Sequence, residues 1–469
     1  MDGYTLGESG LGTIWGVGLK VSHQMDAALF TETAGSKWGL SLPSAIPLGW
    51  NWLPNVVLLI AYVFIVWEKV PKVVVALLGS SLLLLTPVFT QAEALHAIDF
   101  NVIALLVGMM ILVNILGQTG ALDALARAAA KASKGNGMVL MLLLASLTAF
   151  ISAFLDNVTA ILLIGTVTVS LCATLGINPI PYLVAETLLS NIGGTATLVG
   201  DPPNMMIGSA AGITFNDFLV NLAPVIGLIS VASLGLLAWW YRKDVTLSPE
   251  ATQQLTTLSV GQAITDKPLM IKALIVLALV IVGFLTHHVT HIEAGTIALA
   301  GASVLMLFEH RDDIWNDVEW TTIFFFIGLF VMVGAVEKSG TLSWLAEQLL
   351  AWTRGNANLM SIVILWGSAA LSAVVDNIPY TATMIPLVQN LNRIDPIAFS
   401  NLQPLWWSLS LGACLGGNAT LVGAMANVLV VDMARRRGHE IRFMEFFKVG
   451  ASVTLLSLVI STVYLIWRY

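Results

Sequence analysis

Charge is what this chain has least of. Only 10% of its 469 residues are Asp, Glu, Lys or Arg, against about a quarter in a soluble domain. A water-soluble fold is excluded by that shortage, and with it the soluble enzymes and nucleic-acid binders. Cysteine is nearly absent too. Cys172 and Cys414 lie far apart in apolar segments, which argues against a disulfide framework or a Cys-only metal site. There is no nucleotide-binding loop, no metalloprotease-like His pair and no nucleophile–base constellation, so the chain reads as a non-enzyme without a cofactor or resident metal. No segment alternates like an outer-membrane strand. Residues 1–51 lack the charged start, compact apolar core and cleavage site of a secretory signal, and read as an ordered or surface-lying extension.

What is abundant is apolar helix. Hydrophobic residues make up 57% of the chain and mean hydropathy is +0.85, in long runs of Leu, Ala, Val and Gly that predict an all-α polytopic membrane protein. Spans are expected at 52–67, 70–88 and 102–117, the last continuing as an amphipathic stretch to Lys134. The run 138–175 holds Ser152, Asp156, Asn157 and Thr159 at its centre. A charge at mid-membrane costs roughly 2.5 to 3.5 kcal/mol, so a re-entrant hairpin fits better than lipid-facing helix. Residues 182–208 are interrupted by Gly193, Gly194 and Asp201-Pro202-Pro203, which predicts a helix unwound in its middle. A last span follows at 221–241.

The same order then returns. Ser152-Ala153-Phe154-Leu155-Asp156-Asn157 recurs 220 residues later as Ser372-Ala373-Val374-Val375-Asp376-Asn377. Gly193-Gly194-Thr195-Ala196-Thr197-Leu198-Val199-Gly200 recurs 223 residues later as Gly416-Gly417-Asn418-Ala419-Thr420-Leu421-Val422-Gly423. A duplicated unit in an apolar chain points to a transporter. The predicted layout is an extracytoplasmic extension at 1–51, a first repeat at 52–241, a cytoplasmic linker at 242–272 and a second repeat at 273–469.

Counting crossings sets the symmetry. Each repeat has five crossings, one of them a broken helix, plus one re-entrant hairpin. An odd number inverts the second copy relative to the first. On this assignment one side of the membrane collects 15 basic residues, among them Lys69, Lys72, Arg127, Arg242 and Arg435. The other, outside the extension, has Lys338, Arg354, Arg393 and Arg468. The basic side is therefore cytoplasmic, with both termini extracytoplasmic in an inner membrane.

The phrases from Asn191 to Asn204 and from Gly416 to Asn427 resemble the arsenite permease, sodium–proton antiporter and P-protein branch of the ion transporter superfamily. That resemblance implies an elevator-type carrier in which early helices of each repeat form a scaffold and dimer surface, while hairpins and broken helices form a mobile transport domain. It also implies a homodimer, and arsenite, antimonite, sodium or related carboxylates as the family's solutes.

Physically, the site belongs at the breaks. Unwinding a helix frees N–H groups at one new end and C=O groups at the other, which hold a solute if they face a protected cavity. Asn157 and Thr159 are expected to face Asn191, Gly194, Thr195 and Thr197; Asn377 and Thr381 are expected to face Gly417, Asn418 and Thr420. Asp156, Asp376 and Asp201 are the candidate proton-coupling groups, and Asp156 and Asp376 would be the ligands if sodium is carried. The alternatives are polar glue between helices for the Asn and Thr residues and helix capping for Asp156 and Asp376. Asp201 has Ala424 as its counterpart, so the half-sites differ by one carboxylate. Glu186 stands as a proton site or a polar scaffold contact, Cys414 as a small buried residue or a single arsenic ligand, and His287, His288 and His291 as an exposed helix end.

Two substrates compete. Arsenous acid, a neutral trihydroxyl solute, suits a cavity of amide, hydroxyl, carboxylate and backbone groups, with a carboxylate exchanging protons. Sodium suits the same carboxylates. No Lys or Arg is expected in the site, which disfavours a di- or tricarboxylate. Arsenite and antimonite efflux by proton antiport, driven by an ion gradient or assisted by a separate ATPase subunit, is the first reading. Sodium–proton antiport is the second, and a passive channel the third.

Overall fold

The computed structural model describes residues 49–67, 69–257, 263–308, 315 and 318–469. Residues 1–48 of the extension expected at 1–51, and Arg311 of the basic tally, therefore lie outside the described residues. The first half runs α1 Leu53–Trp67, α2 Lys72–Leu84, α3 Gln91–Ala97, α4 Phe100–Gln118, α5 Ala121–Ala132, α6 Gly137–Ser152, α7 Asn157–Leu175, α8 Ile180–Gly194, α9 Pro202–Ala211, α10 Phe215–Asn221 and α11 Ala223–Trp240. After α12 Pro249–Thr257, the second half runs α13 Lys267–Thr290, α14 Ala294–Met306, α15 Trp320–Lys338, α16 Thr341–Thr353, α17 Ala357–Ser372, α18 Asn377–Ile394, α19 Gln403–Gly416, a short 3-10 turn Gly417–Ala419, α20 Met425–Arg436 and α21 Phe443–Arg468. No strand occurs among the described residues.

Local sequence explains where these helices begin. Asp99 accepts from the backbone N–H groups of Asn101 and Val102 at 3.0 and 3.1 Å, and Asn136 and Asn356 cap α6 and α17 in the same way. Thr90 and Glu93 form a capping box at α3. The continuous stretch expected through Lys134 is instead two helices, because Gly120 takes a left-handed φ of +75° and turns the chain from spanning α4 into amphipathic α5. Gly340 does the same between α15 and α16, at +80°.

Among the described residues six helices are long and apolar enough to cross a bilayer: α4, α7, α11, α13, α15 and α21. Their burial is uneven. Only 22% of the α13 window is covered by protein, whereas every residue of α8 from Pro181 to Gly194 and of α19 from Leu405 to Gly416 is buried. The two broken helices are thus the innermost elements.

Packing repeats between the halves and also crosses between them. Within each half the hairpin's first arm lies on the broken helix, α6 on α8 and α17 on α19. Across the halves α4 packs on α14 and α15 on α2, while α9 packs on α18 and α20 on α7. Small residues make the tightest of these contacts possible, as expected where lipid removes the hydrophobic drive between helices. A Cβ added at Gly193 would stand 2.1 Å from the Ala149 carbonyl oxygen, and one added at Gly416 would stand 2.6 Å from that of Ala369.

Candidate functional site

The site starts from two turns. α6 ends at Ser152 and the chain reverses over three residues to Asp156, which caps α7 by accepting from Thr159 N–H at 3.0 Å and Thr159 Oγ1 at 2.6 Å. In the second half Asp376 caps α18, accepting from Ile378 N–H at 3.1 Å. The polar residues at 152–159 therefore sit at a turn, not in mid-helix. Hydroxyls then lash each turn to its broken helix. Ser152 donates to the Ser190 carbonyl at 2.8 Å and Thr197 to that of Ala153; Ser372 donates to Ala413 at 2.6 Å and Thr420 to Ala373 at 2.6 Å.

Each break is closed by an asparagine that the site prediction leaves out. Asn204 Nδ2 donates to the carbonyls of Gly194, Thr195 and Thr197 at 3.4, 3.1 and 2.8 Å. Asn427 Nδ2 donates to those of Gly417 and Thr420 at 2.9 and 2.7 Å. These are carbonyls that unwinding would otherwise leave unpaired away from water. The amide oxygens reach across the halves. Asn204 Oδ1 accepts from Ser410 at 2.6 Å and from Cys414 Sγ at 3.7 Å, and Asn427 Oδ1 accepts from Thr187 at 3.2 Å and from Asn191 at 3.1 Å. Asn204 and Asn427 stand 223 residues apart, as do Thr187 and Ser410, and Asn191 and Cys414. Asn191 and Cys414 are already among the sequence candidates, and the same spacing could have found Asn204, Asn427, Thr187 and Ser410.

The predicted residues divide between these contacts. Asn157 donates to Asn191 Oδ1 at 3.2 Å, and Asn191 donates on to Asn418 Oδ1 at 2.8 Å. Asn418 in turn donates to the Leu188 carbonyl at 3.1 Å. Asn377 does not turn to Asn418. Its amide lies 3.3 Å from both oxygens of Asp201, because α9 packs on α18 and Asp201 stands immediately before α9. Thr195 bonds back to the Asn191 carbonyl at 2.8 Å, while Thr381 is fully buried with a hydroxyl that has no partner among the described residues. Gly194 and Gly417 face Gly200 and Gly423 across their loops, and a Cβ on Gly194 would stand 2.5 Å from the Gly200 oxygen.

One expectation is overturned. The sequence reading places no lysine or arginine in the site, yet Lys72, at the first position of α2, donates to Asp376 in an ion pair. Asp376 is 2% exposed. The contact joins residues 304 apart in the chain, and it arises because the start of α2 reaches the second hairpin tip. Beside it, Tyr62 of α1 donates to the Pro379 carbonyl at 2.7 Å and bonds Thr383. A cavity of about 380 Å³ opens alongside, lined by Lys72, Thr321, Thr322, Met425 and Val428 among others.

Of the remaining candidates, Glu186 is fully buried and accepts from Thr168 at 2.5 Å. His287 and His288 bond carbonyls at their own helix end, those of Ile292 at 2.6 Å and Leu285 at 3.1 Å. Among the described residues no group of three His, Cys, Asp or Glu side chains is placed to hold a metal ion.

Known proteins match this chain along most of its length. The citrate transporter family (CitMHS) matches residues 62–412. An uncharacterized transporter of Mycobacterium tuberculosis is 43% identical over 87% of this chain and 96% of its own length. The human P protein is 32% identical over 86% of this chain and 58% of its own length. A crystal structure of the Alcanivorax borkumensis YdaH transporter, titled as having an unusual topology, matches with a TM-score of 0.54 at 16% identity, covering 89% of this chain and 97% of that one. At that identity the likeness is one of fold.

Proposed function

The chain belongs to the citrate transporter family and is a multi-pass membrane transporter, and from this we propose that it is a secondary active carrier of the inner membrane that exports arsenite or antimonite in exchange for protons. The solute would sit between the two breaks and the two hairpin tips. Residues 52–241 and 273–469 would be inverted repeats joined by a cytoplasmic linker, with both termini outside and the hairpins and broken helices moving together as a transport domain against a scaffold. A homodimer, and assistance from a separate ATPase subunit, belong to the same reading.

The observation that supports the solute assignment is the chemistry at the tips and breaks. Asn157, Asn191 and Asn418 are neutral amides bonded to one another, Asn377 bonds Asp201, Thr381 has a hydroxyl without a partner among the described residues, and the nearby cation Lys72 is already matched by Asp376. Such a set of groups suits a neutral polyhydroxyl solute. It suits a free tricarboxylate poorly, because that solute would have to compete with Asp376 for Lys72. Carboxylates within reach of the breaks supply the proton-exchanging groups. Sodium–proton antiport is the second reading, favoured by Asp201, a buried carboxylate that the other half replaces with Ala424.

Uptake into everted vesicles under one imposed pH gradient separates these solutes. Arsenite accumulation without a sodium or citrate response is the expected result. A sodium response alone would move the assignment to the second reading, and a citrate response alone would overturn both. Accumulation against a gradient also excludes a passive channel.

A further inference from the structure

The Lys72–Asp376 pair joins parts that the proposed mechanism sets in relative motion. Lys72 begins α2, which packs against α1 and α15, whereas Asp376 is the tip of the second hairpin. Tyr62 of α1 grips the same turn through the Pro379 carbonyl and Thr383. Three side-chain contacts therefore tie the cap and first two turns of α18 to α1 and α2. Among the described residues the first hairpin has no such tie: Asp156 is satisfied by Thr159 within its own helix, and the start of α14, the counterpart of α2, carries Glu293 and Ala294 where α2 has Pro71 and Lys72.

We propose that Lys72 is a tethered counter-ion for Asp376: its ammonium holds the place that a coupling cation or proton must take, so filling the carboxylate also releases the second hairpin from α1 and α2. This rests on the reading of the tips and breaks as a cation-coupled site. The displaced ammonium has somewhere to go. The Lys72 side chain is 21% exposed and borders the 380 Å³ cavity, which Thr321 and Thr322 also line, Thr322 donating to Glu319 at 3.1 Å. A buried carboxylate left without any cation would be costly, so release and filling are linked. The other titratable groups around Asp376 are Asp201, bridged through Asn377, Tyr62 on α1 and Tyr380 on α18; Glu319 before α15 stands toward Asp156.

Backbone hydrogen exchange of the full-length protein in lipid nanodiscs tests this without assuming a solute. In Lys72→Met, amides of residues 377–383 should exchange about tenfold faster, while those of 157–163 stay unchanged, and Lys72→Arg should restore the wild-type rate. In the wild type, sodium or acid as the probe should produce the same rise at 377–383 once rates are corrected for the intrinsic slowing of exchange in acid, and neither should add to it in Lys72→Met. Should Lys72→Met fail to fold, the Lys72→Met/Asp376→Asn pair, which leaves no unmatched charge, should show the same fast exchange. Unchanged exchange at 377–383, an equal rise at both hairpins, or a wild type blind to both probes would overturn the proposal. Loss of arsenite and sodium transport in vesicles with the exchange pattern intact would instead count against the solute reading alone.

Discussion

At the first hairpin Asp156 caps α7 and bonds Thr159, and Asn157 beside it reaches Asn191 of its own half. At the second, Asp376 caps α18 but is also held by Lys72, and Asn377 beside it reaches Asp201 of the other half. The same six-residue pattern therefore makes one tip that is satisfied locally and one that is fastened to its surroundings. The cause lies outside the repeat motif, in Lys72 and in Asp201, neither of which has a like residue at its counterpart. The repeated phrases give two like frames; Lys72 and Asp201, each with an alanine at its counterpart, make them unequal.

The comparison breaks most severely if the fastened tip loses one partner. Lys72→Ala leaves a nearly buried carboxylate without its cation, which costs roughly 3 to 5 kcal/mol in a buried pair, and a thermal melt of the detergent-solubilised protein should show a marked drop. Removing the clip of either break comes next. Asn204→Ala removes the donor shared by three carbonyls and Asn427→Ala that shared by two, at roughly 1 to 3 kcal/mol for the lost donor group in each variant. Denaturant titration should rank Asn204→Ala as at least as damaging as Asn427→Ala.

Asp201→Ala makes the two halves alike at that position and removes the acceptor of Asn377, a charged hydrogen bond of about 1.5 to 3 kcal/mol at most. Proton-coupled flux should fall more than stability does. Asp156→Asn should be the mildest at the tips in stability, a few tenths of a kcal/mol, because Asn caps a helix about as well as Asp; melting would show it, while loss of proton coupling would reveal its transport role.

A control lies away from both tips, where Lys338 contacts the two oxygens of Glu93 at 2.7 and 2.9 Å. Burial pushes the Glu93 carboxyl up, but Lys338 and the Thr90 donors outweigh it and hold the group below the usual carboxylate range. Its contribution is therefore present above the unfolded value of about 4.3 and is lost as pH falls through the lower folded value. The loss should be within about 1 kcal/mol, and Glu93→Gln should remove that pH dependence from the melting temperature.

Much of this fold is legible in the chain because hydropathy and repetition report it directly. The turns at Asp156 and Asp376 and the breaks after Gly194 and Gly416 fall where the repeated phrases put them. α3 and α16 escape notice because they are too short or too polar to read as spans, and Gly120 and Gly340 separate helices that hydropathy alone would join. Asn204 and Asn427 are visible in principle, since they share the 223-residue spacing of the glycines. Lys72 is not. A lysine at the start of an apolar run reads as an interfacial anchor, and only packing across the halves brings it to a carboxylate 304 residues away.

Uphill solute movement in proteoliposomes under an imposed pH gradient, measured side by side for the wild type and Asp376→Asn, tests most directly whether the tips and breaks form one proton-coupled site. The expected result is accumulation by the wild type and none by a folded Asp376→Asn. Equal accumulation by both, with the same dependence on pH, would contradict it.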